Sequence, residues 1–177
     1  MTIKTLTGYF ILFLVLASCA ASKRTTGMNY EVVSDSETKV LRGIISRQVI
    51  ENDTAFAWFK NNMQLGMVDE EAAAIFKEKA SSGISLMIFG GTWCHDSQNL
   101  LPKFYRMIDK SGFPEKNITL VVVDRNKTAP DNLHVKYNIT NVPTFIVLKN
   151  GKETGRVVEY GKTGNIEKEL ADIVQGS

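Results

Sequence analysis

Cys94 stands in the segment Ser85 to Pro102, which reads S-L-M-I-F-G-G-T-W-C-H-D-S-Q-N-L-L-P. A cysteine reacts as its thiolate, and the chemistry open to it is attack on a disulfide or another electrophile. The segment is organised to present such a group. An apolar run ends in Gly90-Gly91, Trp93 and Cys94 follow, and a helical pattern begins. The pattern predicts a thiol in the first turn of a helix, where unpaired backbone N–H groups and the positive end of the helix dipole favour an anion. His95 adds a positive charge when protonated. Ser97 falls on the same side of that turn, placed to donate a hydrogen bond to the sulfur. Asp96 opposes a second anion. The plain alternative for a lone cysteine is a small buried hydrophobe, which leaves the double glycine, Trp93 and Pro102 unexplained.

Other chemistries find little support. His95 and His134 are the two histidines of the chain. With one nearby cysteine they match no zinc spacing, so neither a metal nor a cofactor is expected. A cysteine–histidine pair through His134 lacks the local context such pairs have. There are 21 Lys and Arg against 19 Asp and Glu, a net charge of +2. No basic cluster is interleaved with aromatics, which argues against a nucleic-acid partner.

The elements that must hold Cys94 follow from hydrophobic period. Ile84 to Phe89 and Ile118 to Val123 are continuous apolar runs, as in strands buried on both faces. A helix from about Cys94 to Lys110 carries Leu100, Leu101, Phe104, Met107 and Ile108 on one stripe. A shorter helix covers about Asp131 to Tyr137. Thr144 to Leu148 and Gly155 to Tyr160 flank Asn150-Gly151, a type I′ hairpin signal. Ile166, Leu170, Ile173 and Val174 line a last helix. Upstream, Val40 to Ile45 reads as a short strand, and Asp53 and Asp69 read as helix caps. The order from Ile84 is βαβαββα, which implies an α/β fold with a central mixed sheet flanked by helices.

The segment W-C-H-D-S, followed about fifty residues later by Val142-Pro143-Thr144 and another apolar run, resembles the thioredoxin superfamily. The resemblance covers about Ile84 to Val174. It implies a thioredoxin-like fold, a cis Pro143 lying against Cys94, and Val142 as the residue whose backbone docks an extended substrate. It implies Cys94, Ser97 and Pro143 as the catalytic set, with Trp93, His95 and Val142 contacting substrate. Two departures matter. Ser97 stands where a C-x-x-C pair has its second cysteine. Ile88, six residues before Cys94, stands where many relatives bury an acid. The single-cysteine C-x-x-S motif resembles thioredoxin-like lipoproteins of Bacteroidetes-type bacteria.

The amino terminus carries a different signal. Lys4, the apolar stretch Phe10 to Leu16 and the tetrapeptide Leu16-Ala17-Ser18-Cys19 match a secretory signal ending in a bacterial lipobox. On that reading residues 1–18 are a signal peptide and Cys19 is the lipidated first residue of the mature chain. Cleavage near Ala20 or Ala21 is the alternative. Either places the domain in the cell envelope outside the cytoplasm, at the inner or the outer membrane, where disulfides persist. Residues 19–38 then read as a flexible tether, 39–83 as an N-terminal extension and 84–177 as the thioredoxin-like core.

The resulting expectation is a lipid-anchored protein performing thiol–disulfide exchange with one thiol. It would isomerise disulfides or remove small-thiol adducts through a Cys94 mixed disulfide. Its partners would be protein or small-molecule disulfides and thiols, an external thiol or reductase for recycling, and the membrane through its anchor. The competing expectation is a redox-inactive peptide-binding or scaffold lipoprotein. Whether the chain is an enzyme turns on Cys94.

Overall fold

Strict alternation of buried side chains separates two cores across one sheet. In β3 (Ile84–Gly90), Ile84, Leu86 and Ile88 face one side and Phe89 the other. β4 (Ile118–Val122) repeats this with Leu120 and Val122 against Val121, and β5 (Thr144–Lys149) with Phe145 and Val147 against Ile146 and Leu148. A period of two therefore appears in the packing where the sequence shows only unbroken apolar runs, because both faces are covered. The structure is a computed structural model and describes residues 29–33 and 37–177.

The remaining strands are β1 (Asn29–Val33), β2 (Val40–Ile45) and β6 (Lys152–Val158). The six strands lie in the order β1-β2-β4-β3-β5-β6. β3 and β4 are parallel and every other neighbouring pair is antiparallel, so the sheet is mixed. The β5–β6 turn has Asn150 at φ 50° and Gly151 at φ 80°, the two positive values a type I′ turn requires.

Six helices flank this sheet: α1 (Arg47–Glu51), α2 (Trp58–Met63), α3 (Glu70–Glu78), α4 (His95–Ser111), α5 (Leu133–Lys136) and α6 (Ile166–Gln175). The larger core joins α1, α2, α3, α4 and α6 to one sheet face through Ile50, Phe59, Phe76, Phe104 and Leu170. The smaller core lies under α5, where Leu133 and Tyr137 pack on Phe89, Val121 and Ile146. Asp69 caps α3 by accepting the Ala72 N–H at 3.0 Å. Asp53 caps a single 3₁₀ turn, Thr54–Phe56, rather than the longer helix expected through Met63.

Two of the expected boundaries move. Residues 29–33, placed in the tether, form β1 and pair with β2 along their whole length. The reason is local. A Cβ on Gly43 would lie 2.3 Å from the Asn29 carbonyl oxygen, so only glycine admits the incoming strand. The stretch 39–83 is also no appendage. β2 is hydrogen-bonded to β4, and α1 to α3 supply part of the larger core. The signal segment 1–18 and Cys19 lie outside the described residues.

Candidate active site

Cys94 is the cap residue of α4, in extended backbone at φ −90° and ψ 122°. Its N–H donates to the Gly91 carbonyl at 3.0 Å and its carbonyl accepts the Gln98 N–H at 2.9 Å. The side chain caps nothing in the helix. Instead Sγ donates to the Val142 carbonyl at 3.2 Å. The sulfur therefore sits half-exposed between the helix start and the strand that follows Pro143.

The double glycine is a steric necessity here. A Cβ on Gly91 would lie 2.9 Å from the Trp93 indole and 3.3 Å from the Cys94 Cβ. A Cβ on Gly90 would lie 2.9 Å from Leu101. Both contacts are closer than carbon atoms pack. Trp93 folds back over this turn and donates its indole N–H to the Val123 carbonyl at 3.0 Å. The Arg125 guanidinium lies 5.6 Å above the ring. Trp93 is thus pinned from two sides as one wall of the site.

Ser97 is fully buried. Its hydroxyl accepts the Gly91 N–H at 3.1 Å, and no hydrogen bond joins it to the sulfur among the described residues. The expected Ser97–sulfur bond is therefore replaced by one that closes the turn on itself. The adjoining residues extend this bracing. Thr92 Oγ1 donates to the Lys39 carbonyl at 3.1 Å and accepts the Leu41 N–H at 3.2 Å. Gln98 Nε2 donates to the Thr92 carbonyl at 2.9 Å, and Asn62 Nδ2 donates to the Gln98 carbonyl at 2.9 Å. Three of these bonds tie the cysteine turn to the start of β2 and to α2, and the Gln98–Thr92 bond braces it internally. Sequence reading missed them because they join positions as much as 53 residues apart.

The opposite wall is built from the Val142–Pro143 bond, which is cis, and both residues are buried. The Thr144 hydroxyl donates to the Asn141 carbonyl at 2.7 Å. The Pro143 carbonyl accepts the Glu159 N–H at 2.7 Å, and Glu159 Oε1 accepts from Asn141 Nδ2 at 2.8 Å. Glu159 holds a positive φ of 51° to make these contacts. Beyond it, Tyr160 accepts from Asn99 Nδ2 of α4 at 3.4 Å. The end of β6 thereby spans from the proline to the helix.

Of the sequence-named residues, the structure packs Trp93, Cys94 and Val142 in one cluster with Pro143 joined to Val142 by the cis bond, and leaves Ser97 bonded to Gly91 rather than to the sulfur. His95 lies exposed on the first turn of α4. His134 lies on α5 with Nδ1 accepting the Ala129 N–H at 3.1 Å, so that nitrogen is taken. Ile88 is fully buried beneath the site and pairs with Leu120 and Phe145. The result is one half-buried cysteine with a backbone carbonyl beside its sulfur.

The thioredoxin family pattern matches residues 67–172 of the chain. That span begins well before Ile84 and takes in α3. Thioredoxins of Staphylococcus aureus strains Mu50 / ATCC 700699 and MW2 are each 30% identical over 98 residues, covering 55% of this chain and 88% of theirs. Among solved structures, the thioredoxin of Fasciola hepatica is 24% identical and covers 56% of this chain and 85% of its own, with a TM-score of 0.40. A reduced thioredoxin pre-protein of Schistosoma mansoni is 27% identical over 63% of this chain and 93% of its own, with a TM-score of 0.39.

Proposed function

The chain belongs to the thioredoxin family, and from that membership we propose that it carries out thiol–disulfide exchange through Cys94 alone, held outside the cytoplasm by a lipid on Cys19. The observation that supports this most directly is the Cys94 Sγ contact with the Val142 carbonyl at 3.2 Å. It puts the sulfur beside the Val142 backbone, where on this reading a substrate chain would add as a strand. Ser97 in the second position of C-x-x-S removes the internal resolving thiol.

The reaction then has two steps. The Cys94 thiol loses its proton to solvent and gives up its bond to Val142. The thiolate attacks one sulfur of a substrate disulfide, a new S–S bond forms to Cys94, and the other substrate sulfur leaves as a thiolate that takes up a proton. A second thiol, from the same substrate or from an external thiol, attacks that mixed disulfide. When the second thiol belongs to the substrate, Cys94 is freed, nothing is oxidised or reduced overall and the outcome is isomerisation. When it is external, two such thiols are needed to reduce a substrate disulfide: the first attacks the Cys94 sulfur and releases the substrate as a thiol, and the second attacks the first and frees Cys94, so that the two external thiols leave joined as a disulfide. Ile88 places no proton acceptor beneath the site, which suits exchange better than dithiol reduction.

One observation favours a second reading. The thiol proton is engaged by Val142 and the sulfur is only half-exposed. A groove that binds peptide without attacking it would have the same features. Treatment with cystamine followed by intact-mass analysis separates the two. Exchange predicts a single half-cystamine adduct on the wild type, removable by a thiol and absent from Cys94→Ala. It also predicts weak insulin reduction by the wild type and a partial gain in Ser97→Cys. A folded wild type that stays unmodified establishes the binding module instead.

A further inference from the structure

At the end of the β2–β4 pair away from Cys94 lies a cavity of about 610 Å³. That is within the range of about 300–1,000 Å³ found for small-molecule sites. Ile45 of β2 and Ile118 and Leu120 of β4 supply apolar walls, Tyr105 of α4 lines it too, and Arg47 and Glu115 are polar members of the lining.

Tyr105 is 2% exposed, and its hydroxyl has no hydrogen-bond partner among the described residues. A buried phenol normally finds one. The sealed polar atoms that lack a partner belong to Arg47, Arg106 and Glu167. The phenol oxygen is not one of them, so it keeps some accessible surface, and its residue lines the cavity. Burial also pushes the phenol well above its ordinary range, so it remains a proton donor.

The Arg47 guanidinium beside the cavity is already engaged by acids. Arg47 lies 5.3 Å over the Tyr105 ring and meets Asp109 at 2.7 Å, Glu51 at 3.4 Å and Glu115 at 3.4 Å. Gln48 donates to Glu115 at 3.3 Å. A guanidinium already facing three carboxylates offers little to an added anion. The rest of the lining is aliphatic surface, the Tyr105 phenol, the hydroxyl-bearing Ser46 and Thr119, and Lys116, which is exposed to solvent.

We propose that this cavity binds a neutral, largely apolar small molecule that carries a carbonyl-type acceptor, received by the Tyr105 hydroxyl. The site is separate from Cys94 and does not depend on the exchange reaction. Acetophenone is a suitable probe and ethylbenzene its control without the acceptor. In ¹H–¹⁵N titrations of the wild type, acetophenone should move the amides of Ile45, Gln48 and Thr119 with a dissociation constant on the order of 1 mM. Ethylbenzene should bind about 3- to 10-fold more weakly, the size of one hydrogen bond. Tyr105→Phe should abolish that difference while still binding both, and Ile118→Trp, which fills the space, should bind neither. No movement of these amides up to about 10 mM acetophenone would overturn the site. Equal binding of the two probes by the wild type would overturn the ligand class and the role of Tyr105.

Discussion

Ser97 shows how a residue can occupy a catalytic position and yet act on the backbone. Its hydroxyl takes the Gly91 N–H, a donor buried within the turn that carries Cys94. Removing the hydroxyl leaves that N–H unpartnered in an enclosed place. Ser97→Ala should therefore lower stability by about 1–3 kcal/mol, the ordinary cost of an orphaned buried donor. Urea denaturation measures it, and a change below about 0.5 kcal/mol would show that the donor finds another partner. The same substitution should leave cystamine adduct formation at Cys94 in place, because Ser97 does not touch the sulfur. At this scale the sequence was readable where spacing along the chain decides the outcome. W-C-H-D-S and V-P-T mark two segments that meet through the Cys94 sulfur and the Val142 carbonyl. The role of Ser97 was not readable, because the turn geometry that delivers the Gly91 N–H depends on contacts with Lys39 and Asn62.

Helix ends decide how the elements around α4 respond to pH. The caps of α3 and α6 meet, with Asn165 Nδ2 donating to Asp69 Oδ2 at 3.0 Å and Glu167 Oε2 accepting the Asp69 N–H at 3.2 Å. The Ala72 N–H, helped by Asn165, holds Asp69 below its ordinary range. Burial pushes Glu167 above its own, and its Oε1 has no partner. The two signs differ. The folded protein binds the Glu167 proton more tightly than the unfolded chain does, so stability rises as pH falls through the raised value towards the unfolded value of about 4.3. Asp69 contributes stability that is present above about pH 3.9 and lost as pH falls through its lowered value. Thermal unfolding should accordingly occur at higher temperature near pH 5 than at pH 7, and fall away below about pH 4. Glu167→Gln should remove the rise and stabilise the protein at pH 7. An unchanged profile in that variant would mean that Glu167 is not the group responsible. The strands β3, β4 and β5 were legible because coverage of both faces leaves an unbroken apolar run. β1 was not, because it is an edge strand with most of its side chains exposed. Its only trace in the sequence is Gly43 on the neighbouring strand, a glycine with a reason that appears once Asn29 lies against it.

The whole molecule has two poles, and the strand directions assign them. β2 begins beside the cysteine turn, where the Lys39 carbonyl accepts from Thr92, and ends at Ile45 beside the Tyr105 cavity. β1 runs antiparallel to it, with Asn29 opposite Ile44 and Val33 opposite Val40. The chain thus enters the domain on the side away from Cys94. If Cys19 is the lipidated residue, the ten steps from Cys19 to Asn29 keep the start of β1 within about 35 Å of the membrane. Two acyl chains would hold such a protein firmly, where one alone gives only marginal binding. S-acylation would also consume the second cysteine, leaving Cys94 as the one thiol and making an internal disulfide impossible. The mature protein should therefore partition into detergent, with an intact mass equal to residues 19–177 plus the lipid. Cys19→Ser should move it to the aqueous phase without altering cystamine adduct formation at Cys94, since β1 starts at the end of the sheet away from Cys94. A wild-type product that is water-soluble and begins with a free amine at Ala20 or beyond would dismiss the anchor. It would leave the start of β1 with no tie to a membrane, while the chemistry assigned to Cys94 would stand or fall on its own test.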